Sequence, residues 1–141
     1  MPSPDPEIVR KVVQWLTFAD EDLKMASETL SRSVGGPYRL IAYHAQQCAE
    51  KYLKAYLVHQ DVDFPYTHNI RRLLKLCGQH ATWPQDLEDA EELTPYAITA
   101  RYPGEDEEVT QAEATQAVDI ARQVQNRVRI ELKKLGVDLA E

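Results

Sequence analysis

Apolar residues recur along this chain at three- and four-residue steps, beginning with Val9, Val12, Val13, Leu16, Ala19, Leu23, Ala26 and Leu30. That spacing predicts an amphipathic helix of roughly seven turns. Pro2, Pro4 and Pro6 keep the residues before it extended, so 1–8 reads as a flexible N-terminal segment. Gly35-Gly36-Pro37 ends the first helix and opens a second. From about Pro37 to His59, Ile41, Ala45, Cys48, Ala49, Tyr52, Leu53 and Tyr56 form an apolar stripe wide enough to be covered on two sides.

Asp61 to Tyr66 reads as a loop, and Thr67 is the expected N-cap of a shorter third helix carrying Ile70, Leu73, Leu74 and Cys77 and closed by Gly78. A fourth helix is marked by Thr82 with Gln85 three residues on and Pro84 in the first turn; its apolar positions are Leu87, Ala90, Leu93, Tyr96 and Ala97. Pro95 predicts a kink there, and Pro103-Gly104 a stop. Thr110 and Glu113 form a second capping box behind the acidic run Glu105 to Glu108. The last helix, about Thr110 to Leu135, lines up Ala114, Ala117, Val118, Ala121, Val124, Val128 and Leu132. No segment alternates with period two for long enough to be a strand. The expected fold is all-α, an up-and-down helical bundle of four to five helices over 9–136, with 137–141 as a C-terminal tail.

A length of 141 residues with 43% hydrophobic content supports one core rather than two. The formal charge of −7 and pI near 5.1 repel polyanions at long range, so no duplex DNA partner is expected. Cys48 and Cys77 lie inside apolar helical patterns without metal-ligand spacing and read as reduced and buried. There is neither a run of the ~18 apolar residues a membrane span needs nor a signal-peptide pattern at the start, so the expected location is cytoplasmic.

Three constellations carry chemistry. In the second helix His44, Gln47, Lys51 and Lys54 step by three and four, with Gln46 and Glu50 in an adjacent row. The ordinary reading is a solvated face in which Glu50 pairs with Lys54; the functional reading is a hydrogen-bonding, cationic wall suited to a nucleotide or phosphate. His68, just after a capping Thr, is expected as a neutral ring packing locally. Arg101, followed by Tyr102 and Pro103, either caps the fourth helix or holds an arginine fork toward an anion.

These residues resemble the HEPN domain. The resemblance is carried by Trp15 with Ala19 and Asp22-Leu23, by the tract His44-Ala45-Gln46-Gln47-Cys48-Ala49-Glu50-Lys51-Tyr52-Leu53-Lys54-Ala55, by Thr67-His68-Asn69-Ile70 and by Arg101-Tyr102-Pro103. It implies a helical bundle forming a two-fold homodimer, often encoded beside a minimal nucleotidyltransferase in a toxin-antitoxin pair. It also implies, for many members, a metal-independent ribonuclease whose Arg-x4-6-His motif meets its copy at the dimer cleft. Other members only bind nucleotides or a partner. No cofactor or metal is implied.

This chain departs from the nuclease pattern, because the residues from Tyr102 to Glu108 after Arg101 include no histidine. Arg39-Leu40-Ile41-Ala42-Tyr43-His44 does fit Arg-x4-His, at a frequency that chance alone gives, with Arg39 and His44 about 140° apart around a helix. The favoured expectation is a homodimeric binding subunit for a nucleotidyltransferase and a nucleotide, with Gln47, Lys51, Lys54, His68, Arg101 and Tyr102 as ligand residues. The alternative is a ribonuclease toxin acting on RNA, with His44 as general acid or base and Arg39 or Arg101 stabilising the phosphorane. A third expectation is a scaffold that uses Tyr52 and Tyr56 as a protein interface.

Overall fold

A computed structural model describes residues 5–32, 36–97 and 108–139. Among them the chain forms four α-helices, α1 (Pro6–Arg32), α2 (Tyr38–His59), α3 (Ile70–Gly78) and α4 (Gln111–Lys134), with a 3₁₀ segment, Trp83–Ala97, between α3 and α4. The all-α bundle expected from the periodicity is the fold observed.

Helix α1 starts earlier than the proline spacing suggested. Pro6 takes the first helical position, where its missing N–H costs nothing, and Asp5 accepts the Glu7 N–H at 2.8 Å. Its buried face is Val12, Leu16, Ala19, Leu23 and Ala26. Helix α2 is the central element: 14 of its 22 residues are buried, too many for a single stripe, and it packs against α1, α3, α4 and the 3₁₀ segment. Trp15 lies near Lys54 while Asp22 meets His44, so α1 and α2 run antiparallel. Asp61, at φ 56°, turns the chain out of α2, and Val62 N–H reaches back to the Leu57 carbonyl at 3.0 Å.

One cap and one element differ from expectation. Asn69, not Thr67, caps α3, its side chain accepting the Arg72 N–H at 3.1 Å. Asn is the stronger cap, and Thr67 accepts the Asn69 N–H at 3.1 Å instead, setting the preceding turn. The fourth expected helix is 3₁₀ rather than α, with its irregularity at Leu87 (φ −113°, ψ 21°). Asp86, Glu88, Asp89, Glu91 and Glu92 crowd like charges at helical spacing there, and Pro95 removes an N–H. By contrast Thr110 and Glu113 close the expected capping box of α4, with bonds of 3.0 and 3.1 Å. After α4, Gly136 at φ 90° reverses the chain, and Val137 and Leu139 pack into the core, so part of the expected tail belongs to the bundle.

Both cysteines are free and buried, as expected. Burial pushes the Cys77 thiol up to about 12. Burial, reinforced by Asp20 and Asp22, also raises Cys48, and burial raises the Tyr52 and Tyr56 phenols. An acid that holds its proton more tightly when folded stabilises the fold fully below its unfolded pKa and loses that contribution as pH rises through the folded value. Stability therefore declines from the ordinary thiol range upward, each ionising thiol contributing a slope of up to about 1.4 kcal/mol per pH unit. The melting temperature falls between about pH 9 and 11, less steeply when Cys48 and Cys77 are both alanine. A flat profile in the parent chain contradicts this.

Candidate functional site

Four polar residues in the middle of α2 are not part of a solvated face. Gln46, Gln47, Glu50 and Lys54 are all buried, and a buried polar group is tolerated only when its hydrogen bonds are made. The helical step of four aligns Gln46, Glu50 and Lys54 in one row. Gln47 Nε2 donates to Gln46 Oε1 at 2.7 Å, and Gln46 Nε2 donates to Glu50 Oε1 at 3.3 Å and to the His68 carbonyl at 3.2 Å. Lys54 Nζ donates to Glu50 Oε2 at 3.2 Å, the pairing expected from spacing, and lies 5.6 Å from the Trp15 ring centroid and 5.7 Å from that of Phe64. His68, carried by the turn before α3, puts Nδ1 at 2.6 Å from Glu50 Oε1 and meets the exposed Tyr66 ring edge-on at 5.5 Å.

A second cluster lies where α1 crosses α2. Asp22 accepts from Lys51 Nζ at 2.5 Å with one oxygen and faces His44 Nδ1 at 2.9 Å with the other. The four residues expected on one face thus divide: Gln47 and Lys54 join His68 through Gln46 and Glu50, while His44 and Lys51 join Asp22. Each lysine arrives with a carboxylate, so the wall is a set of fixed donors and acceptors more than a bare cationic surface. Arg39 is exposed on the first turn of α2. Arg101 and Tyr102, also expected as ligand residues, lie outside the described residues.

A third network fixes the helices behind the site. Tyr52 donates its hydroxyl to Asp20, Arg129 donates to Tyr52 Oη at 3.0 Å and to Asp20 Oδ2 at 2.6 Å, and Gln125 donates to Asp20 Oδ1 at 3.1 Å. Burial alone would lower the Arg129 pKa, but the bonds to Tyr52 and Asp20 outweigh it and raise it. Tyr52 and Tyr56, members of the expected apolar stripe and the interface residues of the scaffold reading, are buried core residues, 0% and 3% exposed, which removes the scaffold reading of them. Cys48, its thiol raised by burial and by the nearby Asp20 and Asp22, is no nucleophile.

Sequence reasoning missed Asp20, Trp15 and Phe64 as parts of these clusters and gave Asp22 no role. Asp20 and Asp22 flank the apolar stripe of α1, which was the available signal: a carboxylate at the edge of a buried face needs a cation from the neighbouring helix.

Comparison with known proteins agrees with this architecture. The HEPN domain family model matches residues 12–131. None of the curated proteins compared with the chain matches it. Among solved structures, an archaeal HEPN homologue is similar at 29% identity with a TM-score of 0.67, over 85% of this chain and 96% of that one. A protein of Thermus thermophilus is similar at 29% identity and a TM-score of 0.67, over 84% of this chain and 96% of the other. With most of its length inside the family's pattern and its helices laid out as in a HEPN homologue, the chain belongs to the HEPN domain family.

Proposed function

We propose that this HEPN protein is a cytoplasmic binding subunit that pairs with a second copy of itself, docks a cognate minimal nucleotidyltransferase in a toxin-antitoxin module, and presents the α2 band to a nucleotide. The observation that supports this reading best is the buried row Gln46, Gln47, Glu50 and Lys54, which ends in the exposed His68 and is framed by Trp15, Phe64 and Tyr66. Preorganised polar groups beside aromatic rings are the chemistry that takes a base and its sugar. Lys51 lies one turn away on the same helix for the phosphates, and Arg101 with Tyr102 complete the proposed ligand set. Titration with ATP tests the nucleotide half, and capture of a nucleotidyltransferase encoded beside the gene tests the partner half. Failure of both removes the reading.

A ribonuclease reading is favoured by one observation: Asp22 faces His44 Nδ1 at 2.9 Å, the orientation a general acid or base requires. On that reading Arg39 or Arg101 steadies the phosphorane, expression arrests growth, and His44→Ala abolishes the arrest. Arrest that persists in His44→Ala excludes this histidine as the catalyst.

A further inference from the structure

The contact between Glu50 and His68 joins an interior carboxylate to a solvent-facing ring: the Glu50 side chain is 4% exposed and that of His68 45%. Glu50 Oε1 also accepts the Gln46 amide, and Oε2 accepts the Lys54 ammonium. With both oxygens acting as acceptors, the proton in the 2.6 Å contact belongs to Nδ1 of His68. The ring is also held by its own backbone, since the His68 carbonyl accepts from Gln46 and the Tyr66 ring lies against it. Nδ1 therefore donates to Glu50, and Nε2 is the ring nitrogen left to meet a ligand.

The charge around the ring decides what Nε2 attracts. Lys54 compensates Glu50, so with a neutral imidazole the trio carries no net charge and offers an outward lone pair. A phosphate oxygen is repelled by that lone pair, whereas a hydroxyl donates to it. We propose that Glu50 is a positioning residue for His68 and that Nε2 of His68 accepts a hydrogen bond from a sugar hydroxyl of the ligand, making His68 the residue that selects ribose over a sugar lacking hydroxyls. This rests on the reading of the α2 band as a nucleotide site. Selection of this kind is strong because a site built around a hydroxyl leaves its acceptor unpaired when the hydroxyl is missing.

Two measurements on the full chain test it. In ¹⁵N-histidine spectra of the neutral ring, His68 shows a protonated Nδ1 and a bare Nε2, and Glu50→Gln, whose amide can turn its NH₂ toward Nδ1, loses that signature. A protonated Nε2 in the parent protein overturns the proposal without any ligand. In the second measurement ATP and its 2′,3′-dideoxy analogue are titrated without metal. The analogue binds the parent protein about tenfold more weakly, and the gap closes in Glu50→Gln and in the exposed-site variant His68→Phe, which keeps the test open if the first variant fails to fold. Equal affinity of the two nucleotides for the parent protein overturns the proposal. If neither binds, the nucleotide reading falls and takes the sugar contact with it, while the spectrum alone still decides the positioning role of Glu50.

Discussion

Glu50→Ala lowers folding stability by about 3–5 kcal/mol, the cost of leaving an uncompensated charge inside a protein. The Lys54 side chain is 8% exposed, and its ammonium then has two aromatic faces in place of a carboxylate. Gln46 and His68 each lose an acceptor in the same step. The loss comes from the stranded partners rather than from any large net gain of the intact pair, and that distinction can be tested. Replacing both charges with apolar residues of similar size, Glu50→Leu with Lys54→Met, recovers most of the stability, because an ion pair roughly offsets its own desolvation. Urea denaturation of the single and double variants reads the difference. A double variant as unstable as Glu50→Ala contradicts the burial of this pair.

Leu53→Ala costs about 2–5 kcal/mol. Leu53 is fully buried in α2, the helix against which the rest of the bundle packs, and Cys77 Sγ of α3 lies 3.9 Å from its carbonyl. Truncation there removes apolar contacts and leaves a cavity that rigid helices on several sides cannot collapse to fill. Leu53→Met, which keeps the volume, costs under about 1.5 kcal/mol. Leu40→Ala in the first turns of the same helix, 41% exposed, stays within about 0.5 kcal/mol of the parent protein. Equal losses at 40 and 53 in thermal or urea unfolding contradict the placement of the core.

The helix frame was legible because burial imposes a three- and four-residue period on apolar residues, and α1, α2, α3 and α4 follow that period closely. Thr110 and Glu113 announced their capping box because both halves of it are local. The 3₁₀ character of Trp83–Ala97 was hidden behind an apolar spacing that suits an α-helix, while the repulsion among its carboxylates acts against one. The site was harder to read for a different reason. Periodicity places His44, Gln47, Lys51 and Lys54 on one side of a helix, but not the Asp22 that joins Lys51 across 29 positions, nor the His68 that reaches Glu50 across 18. A polar residue on a helix looks solvated until its partner from another element is known. Tyr52 and Tyr56 left the opposite choice open, since an aromatic stripe reads equally as an interface or as a core, and burial decides for the core.

The proposed nucleotide site on α2 is tested most directly by following backbone and side-chain NMR resonances as ATP is added to the protein. The resonances of Gln47, Lys51, Lys54 and His68 shift together in a saturable manner, with those of Trp15 and Phe64 moving alongside. Saturable shifts confined to other surfaces, or none at any ATP concentration, contradict the site.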